Sequence, residues 1–196
     1  MHKMTTLASA TLVLAFAACG PSAKIGGKDG TAQAIHALTQ VSQTGADRAS
    51  SGVNLTDATV SCSKGGTATL SAFATKVDLT DGISVLWTYQ MDLNNCALAT
   101  SDQGDAVYNG TMNVTQKIVT SSTTVAVSQA FKGKVTVGGA FDDFLDLDIT
   151  DTLDVVDLGK SGSVTFKLVG TATTSTQTYT YDESVTITGG AISTSK

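Results

Sequence analysis

From about Leu55 onward, apolar residues recur at every second position, and this period constrains the fold more than any other feature of the chain. In Ile83 to Leu93 the odd positions are Ile, Val, Trp, Tyr, Met and Leu, set against mostly polar even ones. Tyr108, Met112, Val114 and Ile118 share one face, with Asn109, Thr111, Asn113, Thr115 and Lys117 on the other. Val125, Val127, Phe131, Val135 and Val137 repeat the pattern, as do Leu145, Leu147, Ile149 and Leu153. So do Val164, Phe166 and Leu168, and finally Tyr179, Tyr181, Val185 and Ile187. Successive side chains of an extended strand point to opposite sides, so each run reads as a half-buried strand. Short polar segments such as Thr120 to Ser122 and Gly159 to Gly162 separate the runs. The spacing predicts an all-β domain, an antiparallel meander of about seven or eight strands. A sheet with one apolar face must cover that face, as a curled sheet, a small barrel or a sandwich. Transmembrane barrels alternate too, but they carry aromatic girdles at both interfaces. Aromatics are 6% here and do not cluster at strand ends, so a soluble domain is expected.

Composition agrees with strands. Sixteen of the seventeen acidic residues are Asp, Glu183 is the only Glu and Arg48 the only Arg, while Thr and Ser abound. The one helix expected after the N-terminal region is short, Thr31 to Val41, with Ile35, Leu38 and Val41 on one face and Asp29 or Thr31 as its cap. Ser42 to Ser51 reads as a polar loop. The net charge of −5, without a basic patch, argues against nucleic acid as a partner.

The first residues form a separate unit. Lys3 precedes an apolar stretch from Leu7 to Ala18, too short to span a bilayer and matching an export signal. It ends in Phe16-Ala17-Ala18-Cys19, which resembles the lipobox of bacterial lipoproteins, although Phe16 stands where Leu is usual. The resemblance implies cleavage before Cys19, acylation of Cys19 and anchoring in a membrane. With Gly20 and Pro21 following, and no Asp directly after the Cys, it implies the outer membrane. The alternative is an ordinary secretory signal that contains a Cys. Expected boundaries are therefore a signal peptide over 1–18, an anchor and flexible tether over 19–30, and a single β domain with a short leading helix over 31–196.

Cysteine parity fits this division. Of three Cys, lipidation of Cys19 leaves Cys62 and Cys96 as a pair in an oxidising compartment, and a disulfide between them is expected. A hairpin folded about Leu79 would bring them together at its open end. It would set Phe73 opposite Val85, and Trp87, Tyr89 and Met91 opposite Ser71, Thr69 and Thr67. Large side chains facing small ones either enclose a cavity for an apolar ligand, with Trp87, Tyr89 and Met91 lining it, or interdigitate as core.

Catalytic and metal chemistry find little support. The Asp-rich stretch Phe141 to Asp157 lacks the Gly and distal Glu of an EF-hand loop. Asp146 and Asp148 belong to the polar face, whereas Asp151 shares the apolar phase of Ile149 and Leu153 unless a bulge near Thr150 turns it outward. A solvated acidic face is expected there, with weak calcium binding as the alternative. His36 stands alone without a nucleophile motif. No cofactor, metal site or catalytic residue is expected. The expectation is a non-enzymatic envelope lipoprotein with a structural or protein-contact role, bound to the membrane through Cys19. The alternative is a carrier holding a lipid or other apolar small molecule inside a cupped sheet.

Overall fold

The computed structural model describes residues 23–50, 57–80, 83–100, 104–120, 125–155, 163–188 and 191–195. The signal segment and Cys19 lie outside these residues, as does Asp157. One helix, α1 (Gly27–Ser50), precedes nine strands: β1 (Ala58–Ser61), β2 (Gly65–Asp78), β3 (Ile83–Thr100), β4 (Gly104–Thr120), β5 (Val125–Gly139), β6 (Asp143–Val155), β7 (Ser163–Thr173), β8 (Thr178–Thr188) and β9 (Ala191–Ser195). Every strand pairs antiparallel with the next, in the order of the chain. Six of the seven long strands, β3 to β8, are those read from the alternation, β2 is the other arm of the expected hairpin, and β1 and β9 are short additions at the edges. Among the described residues β1 and β9 do not pair with each other, so the sheet is curled and open.

The helix lies inside the curl, packed on β1, β2 and β3 from one edge and on β9 from the other. Thr31, Ala32, Ile35, Leu38 and Ser42 are all fully buried, and Gln40 and Thr44 belong to a narrow exposed stripe. Enclosing Ile35 and Leu38 contributes roughly 1.5–3 kcal/mol each. Thus α1 fills the interior that a barrel of this size would otherwise leave, and it joins inward side chains of β1 to β8 in one core.

Two local expectations are corrected. The helix starts at Gly27, four residues before Thr31, and runs through the stretch expected to be loop as far as Ser50. Neither Asp29 nor Thr31 caps it: Thr31 Oγ1 donates back to the Gly27 carbonyl at 2.8 Å. Burial sustains the extension, since Ser42, Gly45 and Ala46 all face the sheet. The segment before the helix is also docked. Ala23 bridges to Phe141, Ile25 is buried, and the Ile25 amide donates to Asp143 Oδ2 at 3.0 Å. Asp143 also accepts from the Phe144 and Ser175 amides, both at 2.8 Å, tying the chain entry, β6 and the β7–β8 turn together. Burial alone would raise the Asp143 pKa, but these amide donors outweigh it and hold the carboxyl below the ordinary carboxylate value.

The β2–β3 hairpin is the second correction. Thr75, not Ser71, faces Trp87, and Val77 faces Val85. The register shifts between Ser71 and Ala74, where Ala72 takes a φ of 55°, so Phe73 belongs to a bulge and tilts against Tyr89 with ring centroids 5.1 Å apart. Met91 faces Leu70, large against large, and both are fully buried. A second irregularity at Asn95 (φ 47°) switches the inward phase of β3 from odd to even residues, which buries Cys96 and Leu98. Cys62 and Cys96 form the expected disulfide with Cα atoms 5.3 Å apart.

Curling a long sheet this tightly needs inward positions without a side chain. Gly170 lies in the apolar phase of β7 with a φ of +129°, and a Cβ there would stand 2.3 Å from the Asp148 carbonyl oxygen. Gly27 also has positive φ, but its Cβ direction is open. Gly170→Ala is expected to cost roughly 2 kcal/mol or more and Gly27→Ala only about 1 kcal/mol, as read from chemical denaturation midpoints. Replacing both Cys62 and Cys96 by Ser, which releases a closed loop spanning a sequence separation of 34, is expected to cost roughly 3–4 kcal/mol in the same assay.

Candidate functional site

Cross-strand pairing arranges the inward side chains in rows that run across the sheet, and three successive rows differ sharply. The lowest comprises Tyr89, Val114, Phe131, Ile149, Gly170 and Tyr181, and every member but the glycine buries its side chain. The highest comprises Val77, Val85, Ile118 and Val127 on β2 to β5 and continues to Phe166 and Val185 on β7 and β8, where both are buried and Phe166 stacks on His36 of the helix. Val77 is exposed, and Val85, Ile118 and Val127 are half-buried. Between them runs Trp87, Gln116, Gln129, Asp151, Leu168 and Glu183. Its middle is polar yet buried, with Gln116, Gln129 and Asp151 adjacent on three neighbouring strands and each at most 4% exposed.

Part of this ledge is satisfied from below. Burial pushes the Tyr89 phenol up to about 12, although the Ser42 hydroxyl opposes the shift, so Tyr89 keeps its proton and donates to Gln116 Oε1 at 3.4 Å. Ser42 Oγ lies 2.6 Å from the Tyr89 oxygen and serves as the donor there. Thr39 Oγ1 reaches both the Ile35 carbonyl at 3.2 Å and Asp151 Oδ2 at 3.1 Å, but it has a single proton. When Asp151 is protonated both contacts are met, since the carboxyl donates to Thr39 and Thr39 donates to Ile35. Burial raises the Asp151 pKa to about 6 despite the opposing Thr39 hydrogen bond.

The rest of the ledge has no partner. Gln129 Oε1 and Nε2 and Asp151 Oδ1 are buried without a hydrogen bond. Each such group costs about 1–3 kcal/mol relative to a satisfied one, so this is the most expensive local arrangement in the described interior.

The residues singled out from sequence fall in different places. Tyr89 and Met91 belong to the filled core and Trp87 is half-buried at the end of the polar row. β6 runs without the bulge anticipated near Thr150, so Asp151 does point inward, while Asp146 and Asp148 are exposed and Lys132 pairs with Asp148 at 2.9 Å. Among the described residues no three His, Cys, Asp or Glu gather where they would hold a metal ion. His36 stacks on Phe166 with centroids 5.0 Å apart, and Gln40 lies 3.2 Å from its Nε2. Burial lowers its pKa, and its Nδ1 is buried without a hydrogen-bond partner. Gln116, Gln129 and Glu183 were missed, although each interrupts the apolar phase of its own strand. Glu183 is spoken for: Lys28 pairs with it while lying over the Tyr181 ring, 4.9 Å from its centroid. No family model, curated protein or solved structure matches this chain.

Asp151 gives a pH signature of defined sign. Its folded pKa of about 6 exceeds the ordinary value of 3.8, so the native state holds a proton that the unfolded chain releases. The stability it contributes is complete below about pH 3.8 and lost as pH rises through about 6. Asp151→Asn is expected to raise stability at pH 8 by roughly 2–3 kcal/mol and to flatten the stability profile between pH 4 and 7, as measured by urea unfolding across that range.

Proposed function

We propose that this chain is a lipid-anchored protein of the bacterial cell envelope, attached to the outer membrane through Cys19, with a non-enzymatic structural or protein-contact role. One structural observation carries the reading: a helix filling the curled sheet, with the chain entry clamped at one end by Asp143. Such a body suits a rigid element held off a surface better than a catalyst, which needs reactive groups placed together. The entry docks beside Phe141 at the β5–β6 turn, whereas Val77, Leu79 and Ile83 are exposed at the opposite end, the tip of the β2–β3 hairpin. At about 3.3 Å per residue, β3 alone places the two ends roughly 50 Å apart. An anchor beside the entry would leave this apolar tip facing away from the membrane.

A second reading, a carrier for an apolar molecule, draws support from the unpartnered Gln129 and Asp151 atoms beneath a half-open apolar row.

For the anchor, Cys19→Ser expressed in a bacterial host is expected to move the protein from the membrane pellet to the soluble periplasmic fraction. Its thermal midpoint would stay unchanged. Retention of Cys19→Ser in the pellet would remove the lipoprotein reading.

A further inference from the structure

The edge of the sheet at β2 is unevenly covered. β1 pairs with β2 only from Thr67 to Leu70, so among the described residues the rest of β2, up to Asp78, has no neighbouring strand on that side. The bulge at Ala72 and Phe73 separates the covered part from the uncovered one, and beyond it β2 pairs regularly with β3 from Ala74 to Asp78. Every residue from Ala74 to Thr80 is exposed. A strand edge of this kind presents N–H and C=O groups that another strand can meet.

The charges along it lie in an order that fits a second copy of the same edge. Lys76 and Asp78 share one face of β2, and Val77 between them belongs to the other. In an antiparallel pair with a two-fold axis at Val77, Lys76 stands opposite Asp78 of the second copy, and Asp78 opposite its Lys76. Moving the axis one residue either way sets Lys76 against Lys76 or Asp78 against Asp78, which opposes pairing. Both groups can take part. Among the described residues neither belongs to an ion pair, and Asp78 holds the Thr80 amide and hydroxyl, at 3.0 and 2.7 Å, through Oδ1 alone. Apolar surface lies beside them, with Val77 56%, Leu79 70% and Ile83 53% exposed. These are three of the four large apolar side chains left exposed among the described residues, so the hairpin tip is where a contact would remove most apolar surface from water.

We infer that β2 pairs with β2 of a second copy, antiparallel and centred on Val77, so that two molecules join at their hairpin tips. The inference names the partner for the protein-contact role proposed above and rests on that reading. Because the two strands run in opposite directions, the two chain entries lie at opposite ends of the pair. Copies held at their entries therefore meet from facing surfaces. The ion pairs select the register, while main-chain hydrogen bonds and the burial of Val77 and Leu79 supply the attraction. The contact is small, so association is weak, half complete at roughly 0.1 mM.

Sedimentation equilibrium of the secreted protein carrying Cys19→Ser tests the pairing, and a monomer–dimer equilibrium near that concentration is expected. Lys76→Asp and Asp78→Lys each set like charges across the axis, and each is expected to weaken the dimer at least about tenfold. An equimolar mixture of the two variants sets an acidic edge against a basic one and is expected to regain the original affinity. That recovery separates a lost contact from a lost fold. Unsubstituted edges that stay monomeric up to roughly 1 mM, or a mixture no tighter than either variant alone, would overturn the pairing. A photo-reactive benzoylphenylalanine in place of Leu79, in the chain that keeps Cys19, separates this inference from the contact reading. Irradiation of pelleted cells is expected to give an adduct of twice the chain mass. An adduct with a different protein would overturn the second copy and keep the contact role, and no adduct at all would remove both.

Discussion

The packing of one helix inside a curled sheet is the interaction on which the rest of the molecule depends. A meander with one apolar face has no stable form as a flat sheet in water, because the whole inner surface would remain wet. Curling brings the inner residues of distant strands near one another but leaves an axial space, and α1 occupies it. Fully buried Ile35 and Leu38, with Thr39 and Ser42 reaching Asp151 and Tyr89, bind the helix to both halves of the curl. Without α1 the core side chains of β3 and β6 would have no common neighbour, and the two edges nothing to lean on.

Two clamps hold this arrangement at the end where the chain enters. Asp143 gathers three backbone amides from three separate segments, and the disulfide joins the β1–β2 turn to the end of β3. Among the described residues the upper row is packed on the helix only through Phe166 and Val185 of β7 and β8, whereas on β2 to β5 it is half-buried or exposed. The two readings of function differ physically: anchoring and contact concern the ends of the body, and a carried apolar molecule would concern its inner face.

The alternation made β3 to β8, their inward faces and the antiparallel order legible, and cysteine parity made the Cys62–Cys96 bridge legible. The register of β2 on β3 was not, because a bulge at Ala72 and Phe73 and a switch of phase at Asn95 each shift pairing without changing the apolar count. The helix was read too short for a related reason. Ser42 and Gly45 look like loop residues to propensity, yet burial against Tyr89 and Leu70 keeps them helical. Asp151 was visible as an exception in the apolar phase, whereas Gln116 and Gln129 carried the same signal and only their adjacency across strands gives it meaning.

By itself the sequence determined the class of element, the inward side of β3 to β8 over their alternating runs and the partner of each domain cysteine, since these follow from period two and from parity. Only the tertiary structure decided that the sheet curls around its own helix, that Met91 meets Leu70, and that three polar residues from strands β4 to β6 share one buried ledge. Strand phase is local and survives in any register. Neighbourhood across strands is set by bulges, turns and the volume of the helix, which act together and cannot be read one strand at a time.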